Sequence, residues 1–282
     1  MRRTLITSLA VLGLVAGTAP AQAITWGQPD GDDHPHVVTL LFVQEGEGYY
    51  SCTGTLLDPD TVLTAGHCTE GGGQVNDETW VSNDPDPLAD YAGGGIAAYL
   101  ASSEHWVQGQ AIPHPAYDDY AAFPDTYDIG LVDLDEPIET GGIYGTLPDL
   151  NFLEQYMTRK GKTTNRQVTV VGYGQQGTIP AFAQDDYERY QGTATIMGLS
   201  RSSWQGTQTV QTSNTPGKGN GSGGTCFGDS GGPAFWIDPV TGEETTTVVA
   251  ITSYGITGQC AGTDFLFRTD TAVALDFVNA YA

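Results

Sequence analysis

Apolar positions along this chain come in short runs, and few of them keep a helical spacing. VVTLLFV at 37–43, TVLTA at 61–65, QVTVVGYG at 167–174 and TTTVVAITSYG at 245–255 lie among stretches rich in Gly, Pro, Asp and Asn. Short runs rich in Val, Ile, Thr and aromatics, bounded by turn formers, predict β-strands. One set of strands falls within residues 24–150 and a second within 167–268, with a Gly-, Pro- and polar-rich connection between them. The last residues differ. Thr269 or Asp270 can cap a short helix that sets Val273, Phe277 and Tyr281 on one face. The pattern therefore predicts an all-β protein of two units, 24–150 and 151–282, closed by a C-terminal helix. No internal repeat is visible.

Composition agrees with this. The 282 residues are 39% hydrophobic and only 16% charged, with 38 glycines, as a protein of many short strands and tight turns requires. Residues 1–23 read as an export signal. Arg2 and Arg3 lead an apolar stretch from Leu5 to about Val15, and Ala21-Gln22-Ala23 offers small residues where a signal peptidase cuts. That stretch is too short to span a bilayer. Its loss removes two of ten bases and no acid, leaving eight bases against 34 acids, a net charge of −26. Such a surface disfavours nucleic acid and anionic membranes. Half of those bases, Arg159, Lys160, Lys162 and Arg166, cluster in what reads as a solvated turn between the units. The expected product is a secreted, extracellular monomer.

The four cysteines, Cys52, Cys68, Cys226 and Cys260, all follow the signal, and an even number in an exported chain suggests two disulfides. Four cysteines allow three pairings. No CxxC or HxxxH spacing supports zinc, and no metal or other cofactor is expected. The acids near Asp77, Glu78, Asp118 and Asp119 lack a calcium-loop pattern and read as solvated.

Three segments carry chemistry: Thr64-Ala65-Gly66-His67-Cys68, Tyr127-Asp128-Ile129-Gly130-Leu131-Val132 and Gly228-Asp229-Ser230-Gly231-Gly232-Pro233. A serine hydroxyl needs a base within hydrogen-bond reach, and the base needs a partner that fixes its tautomer. Glycines on both sides of a serine permit backbone angles that other residues resist and let a substrate approach. Tight turns there can aim two N–H groups at one point, where an oxyanion would develop.

Together these segments resemble the chymotrypsin-like serine peptidase family, in that family's order His, Asp, Ser. The resemblance extends over essentially all of the chain after residue 23. It implies two antiparallel six-stranded β-barrels with an active site in the cleft between them. It makes His67 general base and then acid, Asp128 the residue that orients it, and Ser230 the nucleophile. The N–H groups of Gly228 and Ser230 would form the oxyanion hole. The run Ser51–Leu57 resembles the strand before the histidine loop, which implies a Cys52–Cys68 bridge. Val171-Gly172-Tyr173-Gly174 resembles a strand of the second barrel. Ser253-Tyr254-Gly255 resembles the strand along which substrate backbone pairs, and Cys226–Cys260 becomes the second bridge. Ile24-Thr25-Trp26-Gly27, directly after Ala23, occupies the place of the family's activation terminus, and its freed ammonium would pair with Asp229. Partners would be protein or peptide substrates and proteinaceous inhibitors.

The primary pocket departs from the trypsin pattern. Six residues before Ser230, where trypsin-like relatives carry Asp, stands Gly224, followed by Thr225. Asp264 falls where relatives commonly carry Gly, and its carboxylate would enter the pocket from the opposite wall. Gly255 leaves the entrance open to large side chains. Cleavage after basic residues with tolerance of large apolar ones is expected; the alternative sets Asp264 out in solvent. His34, His36, His105 and His114 carry no catalytic pattern. The sequence also argues against two rival classes. A binding protein without activity would usually lack a triad member, whereas all three are present. An α/β-hydrolase esterase needs a G-x-S-x-G elbow and the order Ser, acid, His, which this chain lacks.

Overall fold

The computed structural model describes residues 24–44, 48–71, 73–156, 166–176, 187–199, 206–215 and 222–281. Residues 1–23, read above as an export signal, and the bases Arg159, Lys160 and Lys162 lie outside the described residues. The chain opens with a two-residue strand, β1 (Gln28–Pro29), then enters β2 (Val37–Gln44), β3 (Gly48–Leu56) and β4 (Thr61–Thr64). A single turn, α1 (Gly66–Thr69), leads to the small hairpin β5 (Glu70–Gly71) and β6 (Gln74–Val75), and then to β7 (Glu78–Ser82). An excursion carrying α2 (Ile96–Leu100) separates β7 from β8 (Val107–Pro113), and β9 (Gly130–Leu134) follows. Strands β2-β3-β4-β9-β8-β7 close the first antiparallel barrel.

A 3-10 turn at Phe152–Gln155 precedes the second set. It comprises β10 (Gln167–Gly172), β11 (Tyr190–Leu199), β12 (Thr209–Asn214), β13 (Pro233–Ile237), β14 (Glu244–Gly255) and β15 (Gly262–Arg268). Pairing of β11 with β12 closes these six into a second barrel. Strand β1 adds to its outside: Gln28 pairs with Gln191 and Pro29 with Tyr190. The first residues of the described chain thus belong to the sheet of the second barrel. No local pattern announces this, because a two-residue strand has no alternation to read.

The period of two is visible in β2. Val38, Leu40 and Phe42 are fully buried in the first barrel's core with Leu56, Val62, Val81 and Val132. Val37, on the opposite face, joins Leu63, Leu131, Val171, Phe235 and Phe267 in a cluster that draws on both barrels. Each such buried side chain contributes roughly 1.5–3 kcal/mol. The same cluster takes in the final helix, α3 (Ala272–Asn279), through Ala274, Phe277 and Val278. Its cap differs from expectation. Thr271 is the N-cap and accepts from Ala274 N, whereas Asp270 accepts from Leu153 N at 2.8 Å and from Arg268. Tyr281 lies beyond the helix and is exposed, so the buried face is shifted from the one read off the sequence.

His34 and His36 are not exposed polar residues. His34 lies between Asp30 and Glu244, its Nε2 2.7 Å from Glu244 Oε1, and His36 is buried with neither ring nitrogen bonded. The fully buried Arg189 guanidinium ties this corner together. It donates to Asp30 and to the carbonyls of Gly31, Val37 and Asn83. Among the described residues no helix is long and apolar enough to cross a membrane.

Candidate active site

His67 sits in α1, immediately after β4, and Asp128 two residues before β9. The antiparallel register that pairs Thr64 with Gly130 sets these two strand ends side by side. The approach is close. A Cβ on Gly66 would stand 2.9 Å from Tyr117 Cδ2, and one on Gly130 would stand 2.6 Å from Thr69 Oγ1, so both positions demand glycine. Asp128 is fully buried. Its Oδ1 accepts from the His67 backbone N–H at 2.8 Å, and both carboxylate oxygens lie 3.0 Å from His67 Nδ1. Oδ2 also accepts from Ser253 Oγ at 2.5 Å and from the Tyr120 hydroxyl at 2.8 Å.

The electrostatics follow from that geometry. Burial alone would push the His67 imidazole down, but the Asp128 charge and hydrogen bond outweigh it and hold the group above its ordinary value. Burial likewise works to raise Asp128, and the His67 charge with the donated hydrogen bonds keeps it below the ordinary carboxylate range.

Ser230 lies in the turn that feeds β13, between the two barrels. Thr53 N, on β3, donates to the Ser230 carbonyl at 2.8 Å, while Gly231 N donates to Thr252 O, on β14, at 2.8 Å. Gly231 has φ +77°, and a Cβ there would fall 2.1 Å from Thr64 Oγ1. The N–H groups of Asp229, Gly231 and Gly232 all donate within the fold; among the described residues those of Gly228 and Ser230 do not. Ser230 and His67 line one cavity of about 1070 Å³, with Gly228, Thr225, Ser253, Tyr254, Gly255 and Asp264 also on its walls. Among the described residues no hydrogen bond joins the Ser230 hydroxyl to the imidazole. Such bonds often tighten only when substrate is bound.

The two bridges Cys52–Cys68 and Cys226–Cys260 are both formed, with Cα separations of 6.2 and 5.1 Å. The first ties β3 to the histidine turn, and the second flanks the cavity. Asp264 is buried in the cavity wall, not out in solvent. Its Oδ2 accepts from Thr225 N at 2.8 Å and Thr225 Oγ1 at 2.9 Å, and its Oδ1 from Asn214 Nδ2 at 2.9 Å. Burial pushes this carboxyl up, and the three donors pull it part of the way back. Gly224 must lack a side chain, since a Cβ would stand 2.2 Å from Asn214 Cγ. Gly255 faces open space, its nearest neighbour lying 3.9 Å from where a Cβ would stand.

Ile24 is fully buried beside Gly223, and Thr25 pairs with Gly224 through N–H to carbonyl bonds in both directions. The Asp229 carboxylate accepts from Gly174 N and Cys226 N, both at 2.8 Å. Two residues of this region escaped sequence reasoning, Tyr120 and Asn214. Neither belongs to a local motif. Tyr120 is one of several aromatics before Asp128, and Asn214 closes an ordinary strand.

Comparisons with known proteins agree with this geometry. The family model described as Trypsin matches residues 25–278. A trypsin of Saccharopolyspora erythraea is 26% identical over 71% of this chain and 76% of its own. Chymotrypsin-like elastase family member 1 of Rattus norvegicus is 26% identical over 78% of this chain and 72% of its own. Among solved structures, HL collagenase superposes with a TM-score of 0.63 at 19% identity, covering 91% of this chain and 97% of that one. GrC gives 0.59 at 20%, covering 90% and 95%. At such identities the structural likeness speaks for the fold, two packed antiparallel barrels. The family model spans nearly the whole described chain, and the protein belongs to the trypsin family of serine endopeptidases.

Proposed function

We propose that this endopeptidase is exported and cleaves peptide bonds through an acyl-enzyme on Ser230. The observation that carries the reading is the buried Asp128 carboxylate bonded to His67 Nδ1, with Ser230 on the wall of the same cavity. His67 Nε2 takes the Ser230 proton as Oγ attacks the scissile carbonyl. The resulting oxyanion meets the N–H groups of Gly228 and Ser230, which have no partner within the described fold. His67 then protonates the leaving amine, and water repeats the sequence to release the acid. Asp128 holds the imidazole in orientation and stabilises its cation. Because Asp128 raises the imidazole, activity falls as pH drops through a value above the ordinary 6.5.

The substrate backbone pairs along Ser253–Gly255, and the side chain before the cut enters the pocket walled by Gly224, Thr225 and Asp264. The acid there favours Lys and Arg, and the open Gly255 side admits large apolar groups. Maturation consists of cleavage after Ala23. The freed Ile24 ammonium pairs with Asp229 and holds the oxyanion turn. The mature unit, 24–282, acts as a monomer on proteins or peptides and is open to proteinaceous inhibitors. Labelling with a fluorophosphonate followed by peptide mass spectrometry tests the reading: the adduct falls on Ser230, and an adduct elsewhere, or none, refutes it.

A further inference from the structure

Tyr120 lies eight residues before Asp128, on the loop that leads into β9. Asp119 and Tyr120 have φ of +55° and +63°, a left-handed pair that non-glycine residues seldom adopt. The loop thereby brings the phenol to the His67–Asp128 pair, on the same carboxylate oxygen, Oδ2, that Ser253 Oγ bonds. Its ring meets Tyr117 and Tyr254 edge-on, with centroids 5.9 and 6.1 Å away. Its hydroxyl is 2.8 Å from Asp128 Oδ2 and 3.1 Å from His67 Nδ1.

A phenol has one proton to give. The ionised Asp128 carboxylate can only accept, so that proton lies on the line to Oδ2. The phenol oxygen then turns a lone pair toward Nδ1. Nδ1 faces three oxygens within 3.1 Å, and all of them are acceptors in this arrangement. Only a protonated Nδ1 satisfies them, which leaves the lone pair on Nε2, the nitrogen that must take a proton from serine. The donated hydrogen bond also draws charge from the carboxylate and weakens its grip on an imidazolium.

We propose that Tyr120 is a positioning residue, whose hydroxyl locks His67 in the Nδ1–H tautomer and trims its basicity by donating to Asp128. This rests on the reading of His67 as the base. Other titratable groups also face the pair. Asp119 and Tyr117 come from the same loop and Tyr254 from β14, while Asp118 and Glu70, the latter on β5, face Tyr117. Besides His67, only Tyr120 and Ser253 among the described residues hydrogen-bond to the Asp128 carboxylate.

The test is an NMR titration of ¹⁵N-labelled histidine in the exported protein, in a Ser230→Ala background that stops self-digestion. Tyr120→Phe, which keeps the ring, raises the His67 pKa by about half a unit to one unit. Replacing Tyr120 with 3-fluorotyrosine, a stronger donor, lowers it. In the active enzyme the acid limb of kcat/KM moves the same two ways, and Tyr120→Phe loses roughly three- to tenfold in kcat with KM little changed. An unmoved His67 titration in Tyr120→Phe, or shifts of one sign in both variants, overturns the proposal. Should Tyr120→Phe fail to fold, the fluorotyrosine form decides alone. A protein without peptidase turnover whose His67 still shifts in these opposite directions would sink the catalytic reading and leave the positioning role standing.

Discussion

Asn214 donates from Nδ2 to Asp264 Oδ1 at 2.9 Å, and the same amide fills the space that a side chain on Gly224 would need. In the proposed pocket Asp264 stands in for the acid that the resemblance places at position 224, and Asn214 lies between the two positions. A carboxylate can accept about four hydrogen bonds. Three donors already engage Asp264, so one acceptor site remains for an incoming cation.

Rates on matched Lys, Arg, Phe and Leu substrates test that remaining capacity. Replacing Asp264 with Gly lowers kcat/KM for Lys and Arg by roughly 10- to 100-fold relative to Phe, the worth of about one charge-assisted hydrogen bond. Because burial raises this carboxyl, the preference for cations also weakens earlier on acidification than an ordinary carboxylate would require. Relative rates unchanged by Asp264→Gly exclude it as the pocket's acid.

His34 and His36 give the fold two opposite pH dependences. Burial disfavours the His34 cation, but Asp30 and Glu244 outweigh that and raise its pKa to about 9. Its stabilisation is complete below the unfolded value of about 6.5 and is lost as pH rises through 9. Burial without partners lowers His36 to about 4, so its contribution is present above 6.5 and is lost as pH falls from there toward 4. Replacing His36 with Phe removes up to about 3 kcal/mol of acid sensitivity between pH 6.5 and 4. Unfolding midpoints measured across that range check it, and a variant as acid-sensitive as the parent contradicts it.

The amino terminus offers a separate test. Ile24 is buried, and Thr25 is pinned to Gly224, so a chain starting one residue earlier cannot place an ammonium at the same point. Breaking a buried ion pair by removing one partner costs about 3–5 kcal/mol. A single residue added before Ile24 therefore lowers kcat/KM severely while thermal unfolding of the barrels changes little. An active enzyme whose sequenced terminus lies elsewhere refutes this maturation step.

What was legible in the sequence was local. His67, Asp128 and Ser230 each stand in a short segment with its own glycines, and each barrel strand shows its own apolar run. Features assembled from distant residues were not legible. Buried Asp30, His34 and Arg189 meet in one corner with Glu244 at its rim although up to 214 positions separate them, and none has a neighbourhood that announces it. The same holds for Asn214 beneath Asp264, and for β1, whose two residues join a sheet some 160 positions later. Helix α3 was legible in kind but not in cap. Asp270 looks like a cap, yet its carboxylate is taken by Leu153 N and Arg268, which leaves the role to Thr271.

Above all, the proposed mechanism makes Ser230 the nucleophile driven by the His67–Asp128 pair. Its most direct test is the kcat/KM of Ser230→Ala on a peptide substrate, measured beside the parent and with unfolding curves confirming that the variant is folded. The expected loss is on the order of 10⁴ to 10⁶ with stability nearly unchanged. A folded Ser230→Ala protein that cleaves at the parent's rate would contradict it.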